Sequence, residues 1–224
     1  MEWPFPLVLI GMLALVAAVF LLMRAARERR RTEAVGTLAS TVGFSFTPGS
    51  MKPVESGLDP ALASLRLFTH GGAPRVRNVM RASGTEGDDV VFDYRYTVFT
   101  GNSSHTVEQT VAAFRRRGAS IPAFRLSPEN VFSKLGHLLG GQDIDFDSND
   151  AFSSQYVLKG DDADAVRRFF ERQAVMYFAD RPGWSAEGAG EWVILYRSSK
   201  RVKPEDLQEW IDDARRAARV LAPR

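Results

Sequence analysis

The sequence predicts an α+β protein: an N-terminal transmembrane helix followed by an antiparallel sheet domain covered by helices. Three observations carry that prediction. Leu7 to Met23 is an apolar run of seventeen residues without a single charge. Residues 90–99 alternate between Val90, Phe92, Tyr94, Tyr96 and Val98 on one side and Val91, Asp93, Arg95, Thr97 and Phe99 on the other, which is the period of a strand. Helix-start signals at Ser127-Pro128, Asp161 and Pro204 fall among strand runs without strict βαβ order, so the sheet is built from hairpins.

At 1.5 Å per residue the apolar run covers about 25 Å. Trp3 and Phe5 extend it into the near interface, and Arg24 can snorkel on the far side, so a bilayer core of about 30 Å is within reach. A cleaved secretory signal would carry positive charge before the run and small residues after it. Here the first six residues hold no Lys or Arg, and Arg24, Arg27, Arg29, Arg30 and Arg31 follow the run within eight positions. Under the positive-inside rule this predicts a retained single-pass anchor in the inner (plasma) membrane, with Met1 outside and the chain from Arg24 onward cytoplasmic. The same five arginines are the expected contacts to anionic lipid headgroups. Three segments result: a transmembrane anchor over 1–23, a basic juxtamembrane helical stalk over 24–43, and a cytosolic α+β domain over 44–224.

The formal charge of +2 comes from this cluster, because residues 32–224 carry 24 basic and 25 acidic groups. A near-neutral domain has no field for nucleic acid, and no nucleic-acid partner is expected. The chain holds no cysteine, which removes disulfides, thiolate metal sites and a thiol nucleophile.

Beyond Arg24 the helix continues through Ala34, Val35, Leu38, Ala39 and Val42, with Gly43 as its C-terminal stop. Residues 47–60, rich in Pro, Gly and Ser, read as a loop before a short apolar helix over 61–68. Residues 75–83 read as a strand beside the 90–99 strand. Gly101-Asn102-Ser103 turns the chain into a returning strand from Thr106 to Arg116, and residues 123–126 form another strand. Ser127-Pro128-Glu129 opens a helix ending at Gly140-Gly141, followed by strands over 142–146 and 152–159. Asp161 caps a helix that Pro182-Gly183 ends. A second hairpin, 184–186 with 192–196, turns across Glu187–Gly190. A C-terminal helix buries Leu207, Trp210, Ile211, Ala214, Ala218 and Leu221. The helices are expected on one face of the sheet.

Asp143, Asp145 and Asp147 are the candidate metal ligands. Counted from Asp145, positions one, three and five fit a calcium loop, but Asp150 stands where glycine belongs and Tyr156 where glutamate belongs. The simpler reading sends Ile144 and Phe146 inward and the carboxylates to water. His70, His105 and His137 show no zinc-ligand spacing. His105 with Asp93 or Glu108 is the least poor acid–base pair, alongside the Asp143–Asp147 strand. No phosphate-binding loop or nucleophile elbow occurs, and no catalytic residue and no cofactor are expected.

Phe92-Asp93-Tyr94-Arg95-Tyr96-Thr97, and Ile121 to Phe146 with its SPENVFSKLG and GGQDIDF stretches, resemble a group of bacterial proteins with one N-terminal transmembrane helix and a cytosolic domain of unknown function. The resemblance spans about residues 75–200 and implies the class without a mechanism. The expected role is a membrane-tethered cytosolic interaction domain that binds the inner leaflet or a protein partner in an envelope assembly. A ligand-binding sensor, or an enzyme using His105, Asp93 and the acidic strand, is the alternative.

Overall fold

A computed structural model describes residues 5–101, 103–131, 142–144 and 150–222. Helix α1 (Phe5–Thr41) is continuous from the apolar run into the stalk. It ends as the helical spacing predicts. Gly43 takes a φ of 77°, and the Phe44 N–H donates to the Ala39 carbonyl at 2.8 Å, closing a Schellman cap.

Nine strands then form a single sheet in the order β1-β2-β3-β4-β9-β8-β5-β7-β6, and every neighbouring pair is antiparallel. The strands are β1 (Ser45–Met51), β2 (Gly72–Ser83), β3 (Asp88–Thr100), β4 (Ser103–Arg115), β5 (Ile121–Pro128), β6 (Gln142–Asp143), β7 (Tyr156–Gly160), β8 (Ser185–Gly190) and β9 (Trp192–Tyr196). Between them lie α2 (Pro60–Ala63), α3 (Arg66–Thr69), α4 (Asp150–Ser153), α5 (Ala163–Phe169), α6 (Arg172–Asp180) and, last, α7 (Leu207–Leu221). β1 to β4 run as a meander. The pairing of Val111 with Tyr196 joins that meander to the second half through β9.

The helices cover both faces, not one. On the first face, residues of α1, α5, α6 and α7 share a core with Met80, Val91, Phe114, Leu158 and Leu195. On the second, Leu62, Leu67 and Phe68 of α2 and α3 pack with Phe92, Tyr94, Tyr96, Val111 and Ile194. The alternation in β3 already held both faces, because Val91 and Phe92 are each buried. A strand buried on both sides needs cover on both sides.

The short helix expected over 61–68 is two, α2 and α3, and the strand expected over 152–159 begins only at Tyr156, after the helical turn α4. Four further local expectations shift. The Pro- and Gly-rich stretch after Phe44 is an edge strand, since Pro48 and Gly49 fall at a register break between Thr47 and Ser50. β5 runs through Ser127 and Pro128, so the expected helix cap there is strand. The expected single helix after Asp161 is two, with Asp162 as the first cap, accepting from the Ala165 N–H at 2.9 Å. Finally, Glu187 lies inside β8 and not in its turn. The turn is Gly190-Glu191, with Gly190 at a φ of 63° as the first residue of a two-residue hairpin loop.

Candidate functional site

Two polar constellations stand out, one on each face of the sheet. On the first face α1 docks through buried charge. The Arg31 guanidinium donates to both carboxylate oxygens of Asp93, at 2.8 and 2.6 Å, and to the Val202 carbonyl at 2.6 Å. Asp93 also accepts from Thr110 at 3.0 Å, Asn78 at 3.1 Å and Arg201 at 3.2 Å. Arg201 in turn holds Glu28 of α1 at 2.7 Å and Glu108 at 3.1 Å, and Arg77 reaches Glu28 at 3.0 Å.

Asn78 shows why this geometry is local as well as tertiary. It sits at a register break in β2 with a φ of 53°, a left-handed conformation that Asn tolerates better than most residues. That kink turns its amide toward Asp93 and its carbonyl oxygen toward the Thr32 hydroxyl of α1, at 2.9 Å.

Desolvation pushes the Asp93 carboxyl up, but the bound Arg31, with Arg201 and Asn78, more than reverses it and the net shift is downward. The hydrogen bond from Arg201 lowers Glu28 as well, against its own desolvation. For Arg201, burial favours the neutral form, and Glu28, Asp93 and Glu108 overcome it to hold the guanidinium charged. The carboxylates stay ionised and the cluster is a clamp.

On the opposite face a cavity of about 280 Å³ lies between α3 and the sheet. Leu67, Tyr96, Val98 and Phe99 line it with apolar surface, and Arg125, Ser185, Glu187 and Tyr196 bring polar atoms to it. Glu187 accepts from the Leu67 N–H at 3.0 Å and from the Tyr196 hydroxyl at 3.1 Å. Its oxygen lies 3.8 Å from Arg125 Nε, an ion pair but not a hydrogen bond. Burial pushes the Glu187 carboxyl up despite Arg125, and holds the Tyr96 hydroxyl up at about 12.

The candidate residues from the sequence are scattered between these sites. Arg24, Arg27, Arg29 and Arg30 are exposed along α1, with Arg24 also 3.6 Å from Glu108. Arg31, grouped with them as a headgroup contact, turns into the domain instead. His105 is exposed on β4 opposite Val98, while Asp93 pairs with Thr110, so the two are not brought together. Asp143 pairs through its backbone with Lys159; Asp145, Asp147 and His137 lie outside the described residues. Among the described residues no three His, Asp or Glu side chains gather as a metal cage.

Sequence reasoning missed Arg125, Ser185, Glu187, Tyr196 and Arg201. Their one available signal was the alternation Ser185, Glu187, Ala189, which marks a strand face and not a turn.

Fold and site together define an antiparallel α+β domain clamped by buried ion pairs to one long helix, whose free end is long and apolar enough to cross a membrane. The chain is similar to the crystal structure of the mycobacterial trehalose monomycolate transport factor A, TtfA, with a TM-score of 0.55 over 86% of this chain and 92% of that one. At 13% identity the likeness is one of fold. No family model and no curated protein matches the sequence.

Proposed function

We propose that the protein is a single-pass, membrane-tethered interaction domain without catalytic chemistry, working on the cytoplasmic face of the inner membrane as part of an envelope assembly. The clamp between α1 and the sheet is the observation that carries this reading. A free tether needs no buried ion pairs, whereas Arg31, Glu28, Asp93 and Arg201 fix the domain's orientation to its anchor. A domain held at a set angle presents one surface to neighbours in the membrane.

Several observations support the reading. All described residues from Val8 to Arg27 are exposed, so the apolar run finds no cover within the protein itself. Arg24, Arg27, Arg29 and Arg30 follow it, where they would meet lipid phosphate and hold that end in the cytoplasm. The TtfA likeness accords with this, since that protein is a trehalose monomycolate transport factor.

Labelling with a membrane-impermeant maleimide tests the orientation. The chain has no cysteine, so single cysteines at Glu2 and Glu205 report cleanly. Intact cells should label Glu2→Cys and not Glu205→Cys. The reverse pattern rejects the orientation. Photocrosslinking of the full chain in membranes should return a reproducible partner, and none at all would reject the assembly role.

A further inference from the structure

We propose that the cavity between α3 and the sheet binds the carboxylate end of a single fatty-acyl chain, which enters beside Phe99 from the membrane surface. At about 280 Å³ the cavity falls just below the usual span of small-molecule pockets, about 300 to 1,000 Å³. A volume of that order suits a single alkyl chain. The apolar walls of Leu67, Tyr96 and Val98 suit an alkyl chain.

The polar end has a definite sense. Arg125 is 7% exposed and Ser185 is 1% exposed, yet neither Arg125 Nε nor Ser185 Oγ has a hydrogen-bond partner among the described residues. Buried donors left unpaired are costly and rare. Glu187 balances the Arg125 charge at 3.8 Å, but that separation is beyond hydrogen-bond reach, and its oxygens bond Leu67 and Tyr196 instead. The unused capacity is therefore two donors, one of them on the Arg125 guanidinium, with Arg66 also lining the cavity. That set matches a carboxylate, which accepts charge-assisted hydrogen bonds.

The position of the mouth follows from two registers. Arg31 meets Asp93 and, one helical stretch nearer the N-terminus, Arg24 meets Glu108, which is opposite Arg95. α1 followed toward its N-terminus and β3 followed toward its C-terminus therefore run the same way. Past Arg95 the hairpin continues at about 3.3 Å per residue, while the helix advances only about 1.5 Å. Phe99 therefore stands at the end of the domain from which the apolar part of α1 emerges. It is 67% exposed and lines the cavity. An exposed aromatic at that end of the domain suits the membrane interface. This placement rests on the reading of α1 as a membrane span.

Full-length protein in phospholipid nanodiscs, titrated with [1-¹³C]laurate and observed by NMR, tests the proposal. Protein-loaded discs should show a saturable carboxyl resonance that empty discs lack. Arg125→Gln should weaken it about tenfold or more, the loss of a charged hydrogen bond. Ser198→Trp, at the half-buried rim, should abolish it by filling the space, with the melting temperature checked for both variants. If Arg125→Gln melts early, Ser198→Trp alone keeps the test decisive. No added resonance in the wild type, or one that survives Ser198→Trp, overturns the proposal. Displacement of laurate by equimolar lysophosphatidylcholine, whose chain is an ester, overturns the carboxylate-inward assignment. The cysteine-labelling pattern is independent of laurate, so failure of the pocket and failure of the membrane reading are told apart.

Discussion

Arg31 of helix α1 grips both carboxylate oxygens of Asp93, which stands 62 residues further along the chain in the middle of the sheet. Both side chains are withdrawn from water, at 12% and 6% exposure. A bidentate pair of this kind fixes direction as well as distance, so the helix emerges from the domain at a set angle.

Removing both partners should therefore cost less than the sum of removing each. Asp93→Leu strands Arg31 and Arg201 and should destabilise by about 3–5 kcal/mol, with Arg31→Met somewhat less because Arg201 still pairs with Asp93. The double variant should be more stable than the sum of the two predicts. Urea unfolding of the four proteins closes the cycle, and strict additivity would show the pair to be uncoupled.

The boundary of the foldable domain shifts accordingly. A chain starting at Arg24 keeps Glu28 and Arg31 and should melt near the temperature of the full-length protein. A chain starting at Thr32 loses both, leaving Asp93, Arg77 and Arg201 short of partners, and should melt well below it. Scanning fluorimetry of the two lengths decides the matter; equal melting temperatures would mean that the clamp contributes nothing.

Acid should loosen the clamp. The Asp93 and Glu28 carboxyls are lowered in the fold, so their contribution is complete above their unfolded values of about 3.9 and 4.3 and is lost as pH falls through the lower folded values. Stability should decline below about pH 4. Asp93→Asn should flatten that decline, as read from tryptophan fluorescence in urea at each pH.

Glu187 acts in the opposite sense. Its carboxyl is raised by burial, so the fold gains from protonation below the unfolded value of about 4.3 and loses that gain as pH rises through the folded value. Between the acid limit and neutrality Glu187→Gln should remove a downward slope in stability. An unchanged slope would place the titrating group elsewhere.

Gly188 should tolerate no side chain. A Cβ there would stand 2.5 Å from a ring carbon of Phe124 and 2.9 Å from Ile121, both in the neighbouring strand β5. Gly188→Ala should cost about 1–3 kcal/mol through overpacking, measured by urea denaturation.

The long apolar helix, the alternation of β3 and the C-terminal helix were legible in the chain because each is local. An apolar run, a period of two and a Pro before an amphipathic stretch act through neighbours in sequence. Gly43 was readable as a stop for the same reason. Asp93 was not readable as a clamp. In sequence it alternates with aromatics and looks like a solvated strand position, and only the approach of α1 over the first sheet face gives it Arg31. Glu187 and Arg125 were hidden in the same way. Each meets the other across a strand pair whose members lie far apart in the chain, so register, and not composition, buries them. Local patterning decided that one long apolar helix leads into an antiparallel sheet. Long-range pairing decided which charges leave water, because a buried charge persists only where the fold brings it a partner.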